Sequence, residues 1–171
     1  DVDKVIEVTR DLPLAVNDDP DSSEVLLAGE NVAEEIRGAE VTRNVSAVSA
    51  VPEVRENLVA LQRRLAADAH RAIVEGRDIG TVVLADAPAK AYLTASAEVR
   101  ARRRYQQDRS AGREADFGTV LADVIRRDEM DSSRATSPLR PAVDATIIDT
   151  SELTLDQVLE SLIELVKESS R

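Results

Sequence analysis

Apolar residues along this chain follow two rhythms, and the switch between them predicts an alternation of helices and strands. Residues 1–38 read as a small separate unit. Within it, 13–16 form a strand. Residues 23–27 and 31–32 form a hairpin around Ala28-Gly29-Glu30, the acidic run 17–21 is a loop, and 33–38 make a short helical turn. Residues 39–68 are helical. Pro52 suits the first turn of a second helix there, and Val54, Leu58, Leu61 and Leu65 line one face of it. A strand is expected at 71–75 and another at 89–94. Ser96 then caps a helix through 99–107. A longer helix covers 115–131, a buried strand 146–150, and a last amphipathic helix presents Leu155, Val158, Leu159, Leu162 and Leu165. Strands alternating with helices imply a parallel, doubly wound sheet. There is no internal repeat and no low-complexity segment.

Composition narrows the chemistry. The 171 residues suffice for one compact domain or a domain with a small insert. Tyr92, Tyr105 and Phe117 are the only aromatics, so the core must be aliphatic. A net charge of -11 repels nucleic acid and anionic membranes on average. With no cysteine there is no disulfide, thiolate zinc site or cysteine nucleophile, and with His70 alone a histidine triad is disfavoured. No signal-peptide pattern or long apolar run suggests export or membrane insertion, so a cytoplasmic protein is expected. Of 22 basic residues only Lys4, Lys90 and Lys167 are lysine. Arginine offers a planar fork that matches phosphates, but GC-rich coding also enriches arginine, so position must carry the argument.

Three groups of charges stand out. Gly76-Arg77-Asp78 follows an apolar segment, at the place where open α/β sheets bind ligands. Arg127, Asp131 and Arg134 share a helix face bordering the stripe of Phe117, Val120, Leu121 and Val124. Arg100, Arg102, Arg103 and Arg104, with Arg109 and Arg113 beyond, repel one another unless an anion sits among them, and Gly112 gives that segment a flexible point. Each group also has a plainer reading. The first can be a turn with an internal ion pair, and the second an ordinary ion pair on a solvated helix. The third can be a solvated face neutralised by Glu98 and Asp108, or a nucleic-acid grip, against which the acidic total and scarce aromatics speak. Taken together they repeat the needs of a nucleotide site: arginines for phosphate, carboxylates for ribose or base, and a mobile basic lid.

Longer motifs give these groups a family. Residues 27–32 with Glu35-Ile36-Arg37, 45–52 with Val54-Arg55, 75–83, Arg127-Asp128, and Ser133-Arg134-Ala135 before Pro138-Leu139 resemble bacterial cytidylate kinases, the CMP/dCMP kinases of the nucleoside monophosphate kinase group. The resemblance runs from about residue 3 to residue 168. It implies a P-loop-kinase-like parallel sheet flanked by helices, with a small antiparallel β insert on the monophosphate side. Residues 1–38 would be that insert and 39–171 the core kinase domain, with a lid at about 96–114.

The implied reaction is ATP + CMP = ADP + CDP, with magnesium. By resemblance, Ser46, Arg55, Asp78 and Arg134 read cytosine, Arg77 holds the CMP phosphate, and Arg127 and Asp131 contact the ribose. Arg100, Arg103 and Arg104 belong to the lid over the ATP phosphates and, with Arg77, form the catalytic set. No protein ligand to a metal is implied. CMP, dCMP and ATP are the expected partners of a monomer, with no nucleic acid and no membrane. The base chemistry agrees: cytosine donates from N4, which Asp78 can accept, whereas uracil presents acceptors there.

The sequence departs from the family in one respect, having no Gly-rich loop ending in Gly-Lys-Ser/Thr. The chain begins at Asp1, after the place that loop takes in the family. A fragment, a trimmed product or a form without donor-phosphate machinery is therefore expected, and its activity alone should be impaired. A non-catalytic nucleotide-binding module, a monophosphate kinase of other base preference and a basic-helix interaction protein are the competing readings.

Overall fold

The computed structural model describes residues 1–16, 19, 21–69, 71–133, 135 and 138–169. Most of the loop expected at 17–21 lies outside them, as do His70 and Arg134. Chain contacts divide the protein into two compact units, Asp1–Glu75 and Gly76–Arg171.

In the first unit, helix α1 (Val2–Arg10) is capped by Asp1, whose side chain accepts from the Lys4 amide. Val5, Ile6 and Thr9 form its half-buried face, and Asn57 Nδ2 donates to Ile6 O at 3.4 Å and Thr9 Oγ1 at 3.1 Å. This ties α1 to α3 (Pro52–Asp68). Three short strands follow α1: β1 (Leu14–Val16), β2 (Val25–Leu27) and β3 (Glu30–Asn31), an antiparallel sheet in that order. Leu27 pairs with Glu30 across a two-residue turn in which Ala28 and Gly29 both take positive φ, 52° and 85°. That is the turn whose twist matches a right-handed hairpin. A 3₁₀ turn at Glu35–Arg37 leads into α2 (Ala39–Val48). Pro52 opens α3, where a missing amide costs nothing, and Val54 and Leu61 are buried on its inner stripe.

The second unit starts with a π-helical turn at Ile79–Val83. Strand β4 (Ala91–Thr94) then runs parallel to β5 (Thr146–Asp149), with Ala91 opposite Thr146 and Thr94 opposite Asp149. The crossover between them contains α4 (Ala97–Ser110) and α5 (Phe117–Ser132), which pack on each other, with Ala101 fully buried. Ser96 caps α4 by accepting from the Val99 amide, and Asp116 caps α5 by accepting from the Thr119 amide. Gly112, at φ 72°, turns the chain between them, and α6 (Leu155–Ser169) closes the unit against β5. The architecture is mixed α/β: a small antiparallel sheet, and a parallel strand pair flanked by helices, of the kinase-like kind the motifs imply.

Two expectations need correction. Residues 71–75 form no strand; they are irregular and exposed, with Ile73 fully open to solvent. An apolar run becomes a strand only when a neighbour takes its amides and carbonyls, and the parallel pair among the described residues is β4 with β5 alone. The strand at the chain's far end is not a buried one either: Thr146, Ile147 and Asp149 are exposed, and Thr150 just beyond it is the buried position.

Candidate active site

Five charged side chains of the second unit, Arg77, Arg100, Arg127, Asp128 and Asp131, cluster on α5. The Asp116 cap fixes where α5 begins, and from there Asp128 and Asp131 fall one turn apart on neighbouring positions. Asp131 is fully buried, with relative exposure 0%. Its Oδ2 pairs with Nε of Arg77, and with Nε of Arg127 at 3.7 Å along the helix. Asp128 takes Arg77 Nη2 on Oδ1 at 2.8 Å. The same carboxylate receives Arg100 through both oxygens, at 3.1 and 2.5 Å. Three guanidinium groups from three parts of the chain therefore surround two carboxylates.

Arg77 enters this cluster from a constrained turn. Gly76 is exposed, but a Cβ there would lie 2.9 Å from the Ile79 side chain, which would have to shift to admit a larger residue before Arg77. Asp78 caps the π-helical turn, and its carbonyl accepts from the Val82 amide at 2.9 Å. Its side chain is half-buried. Arg100 is steadied further by donating from Nε to Ala95 O at 3.0 Å.

The electrostatics show a surplus of positive charge. Burial, then the like charges of Arg77 and Arg104, push the Arg127 guanidinium below its ordinary range, although Asp128 works against them. Burial alone would raise the Asp128 carboxyl, but the hydrogen bonds and charges of Arg100 and Arg77 outweigh it and hold Asp128 below the usual carboxylate range. An anion placed here relieves the crowding that Arg127 feels.

The Asp128 shift sets a pH dependence. Its folded pKa lies below the unfolded value of about 3.9, so its contribution is complete above that pH and is lost as pH falls through the folded pKa. In urea unfolding followed from pH 6 to about pH 2, wild type should exceed Asp128→Asn at the upper end, and the gap should close in acid. A gap independent of pH would show that ionised Asp128 contributes nothing.

The remaining arginines of α4 are engaged differently. Arg103 donates from Nη1 to Thr150 Oγ1 at 2.9 Å and from Nη2 to Thr150 O at 2.6 Å, joining α4 to the end of β5. Arg104 pairs with Asp108 at 3.0 Å, and Arg113 reaches the other oxygen of that carboxylate at 2.9 Å. Arg102 pairs with Glu98 on an exposed face. Arg109 lies over the Tyr105 ring, which meets Phe117 edge-on at 6.1 Å. Part of the basic run is thus neutralised locally by Glu98 and Asp108, as its plainer reading holds.

Ser46 and Arg55 belong to the first unit. Ser46 is buried on α2 and Arg55 half-buried on α3. Both meet Ser49 at the α2–α3 corner: Arg55 Nη1 donates to Ser49 O, and Ser49 Oγ donates to Ser46 O, each at 3.3 Å. The structure therefore brings Arg77, Arg100, Arg127 and Asp131 together in one unit, and Ser46 with Arg55 in the other. Arg134 lies outside the described residues. Asp128 is the participant that spacing did not reveal, because its partners Arg77 and Arg100 are 51 and 28 positions away. Among the described residues no group of three or more His, Asp or Glu side chains gathers as a metal would require, and no helix is long and apolar enough to cross a membrane.

An α/β framework presenting surplus, half-buried guanidinium charge suits the binding of phosphate groups. Comparison with known proteins gives the family. The family model described as "Cytidylate kinase" matches residues 1–168. The cytidylate kinase of Corynebacterium glutamicum is 69% identical over 166 residues, covering 97% of this chain and 72% of that protein. Those of Rhodococcus opacus and Mycobacterium avium are 59% and 51% identical over 170 residues, each covering 99% of this chain and 74% and 75% of theirs. The chain belongs to the cytidylate kinase family, and so to the nucleoside monophosphate kinases.

Proposed function

We propose that this chain binds CMP or dCMP as phosphoryl acceptor and serves the reaction ATP + CMP = ADP + CDP. The observation that supports this most is the Arg77 fork, held by Asp128 and Asp131 in a cluster with more guanidinium than carboxylate charge. In this reading Arg77 binds the CMP phosphate, and Arg127 and Asp131 contact the ribose. Ser46, Arg55, Asp78 and Arg134 read the base. Arg100, Arg103 and Arg104 neutralise the phosphates of ATP as a lid at about 96–114 closes, and residues 1–38 act as the monophosphate-side insert.

The chemistry asks little more of the protein. An oxygen of the CMP phosphate attacks the γ-phosphorus of ATP, and the bond to the β,γ-bridging oxygen breaks to release ADP. The acceptor phosphate has a second pKa of about 6 and is largely ionised at neutral pH, so no general base is needed. The arginines supply position and charge neutralisation. Magnesium, when bound, would spread charge on the ATP phosphates. The described residues do not form a ligand set for it, and we assign none of them to the metal. These 171 residues contain no Gly-Lys-Ser/Thr phosphate loop, so we expect CMP binding to exceed phosphoryl transfer when the chain is assayed alone. A non-catalytic binding module is the second reading that this feature favours, and CDP formation measured beside calorimetry separates the two. We place the protein in the cytoplasm as a monomer, with no nucleic-acid or membrane partner.

Base preference is the direct test. Asp78 accepts from cytosine N4, and uracil would leave that carboxylate facing an acceptor, at a cost of about 1–3 kcal/mol per unsatisfied group. Calorimetry with CMP, dCMP, UMP and AMP should show a preference of roughly tenfold or more for CMP or dCMP over UMP. Asp78→Asn should shrink that ratio towards one. A ratio untouched by the substitution would remove Asp78 from base reading.

A further inference from the structure

We infer that Asp128 is the positioning residue of the phosphate site: one carboxylate that sets the planes of Arg77 and Arg100 together. The inference rests on the proposed role of Arg77 and adds a residue to it. A carboxylate repels phosphate, so Asp128 has no use as a direct ligand of the nucleotide's anionic end. Its geometry is that of a holder. Arg100 binds it edge-on through Nη1 and Nη2, which fixes the whole guanidinium plane, since two parallel bonds leave no free rotation. Arg77 donates Nη2 to the oxygen already used by Arg100, at 2.8 Å. Arg77 is also tied through Nε to Asp131, one helical turn further along α5. With Nε and Nη2 engaged on adjacent turns of one helix, Arg77 presents its Nη1 edge in a fixed direction. A guanidinium held that way loses little further freedom when a phosphate arrives.

A plain counter-ion would have a different effect. Were Asp128 only neutralising surplus charge, removing its charge would leave more positive potential and tighten anion binding. A holder behaves in the opposite sense: releasing Arg77 and Arg100 lets them swing apart, and the phosphate loses a preformed site. The holder is favoured because both oxygens of Asp128 are used, and because the other tethers, Arg100 at Ala95 O and Arg77 at Asp131, run through Nε and leave Asp128 to orient the Nη ends.

The experiment compares CMP with cytidine, which lacks the phosphate, by titration of the full chain. In wild type the affinity ratio measures what the phosphate contributes. Asp128→Asn should weaken CMP by about tenfold, the loss of one charge-assisted hydrogen bond. Cytidine should stay within about twofold, a negligible free-energy change. Asp128→Glu keeps the charge but displaces the carboxylate by one methylene. It should fall between wild type and the Asn variant for CMP and match wild type for cytidine, and it serves if the Asn variant proves insoluble. CMP affinity unchanged or raised in both variants overturns the inference, and so does a parallel loss for both ligands, which marks a structural role. If wild type itself fails to prefer CMP over cytidine, the assignment of Arg77 to the phosphate is what fails, a result visible before any variant is examined.

Discussion

Asp131→Ala is expected to destabilise the protein by about 2–4 kcal/mol, read as a fall in the urea midpoint. Removing one partner of a buried pair costs about 3–5 kcal/mol because the other charge is left uncompensated. That figure is reduced here because Arg77 and Arg127 keep 30% and 40% of their side-chain surface in solvent, which screens them once freed. The carboxylate itself keeps 1%. After its removal three guanidiniums share Asp128 alone. Arg127, already pushed down by burial and like charge, is the group that suffers most. A cycle with Arg127→Met should recover part of the loss, since the double variant no longer crowds that arginine. A change below about 1 kcal/mol would place the Asp131 contacts among ordinary surface ion pairs.

Arg77→Met should lower CMP affinity by about a hundredfold, close to 2.7 kcal/mol, while leaving cytidine binding within about twofold. The estimate follows from losing a charge-assisted contact from a held guanidinium to a phosphate that is largely dianionic at neutral pH. Arg77→Lys should recover only a small part, because an ammonium keeps the charge and loses the fork. Far-UV circular dichroism and the urea midpoint check that the variants remain folded, a necessary control because Arg77 also supports Asp131. Equal losses for CMP and cytidine would mean that Arg77 shapes the protein rather than gripping the phosphate.

The parts of this structure legible in sequence are those set by contacts a few residues apart. The stripe Val54, Leu58, Leu61 and Leu65 marked α3 and its buried side, Pro52 marked its start, and Ser96 marked the cap of α4. The pairing of Arg127 with Asp131 follows from a spacing of four on a helix. Helix α1 was not foreseen, since Val5, Ile6 and Thr9 give only one short stripe and its stability leans on Asn57 far along the chain. The strand expected at 71–75 failed for the complementary reason, because alternation describes a segment able to pair and says nothing about a partner. Asp128 was equally hidden. Its motif Arg127-Asp128 was visible, but its role depends on Arg77 and Arg100 arriving from distant turns.

The link between Arg103 and Thr150 divides the basic run of α4 mechanically. Thr150 is itself fastened to β4, with its amide and its Oγ1 both donating to Thr94 O, so Arg103 is bolted to the sheet. Arg100 is likewise fastened to α5 through Asp128. Arg104, Arg109 and Arg113 find Asp108 and Tyr105 inside their own segment. One set of cations is thus fastened to the sheet and to α5, while the other finds its counter-charge within its own segment.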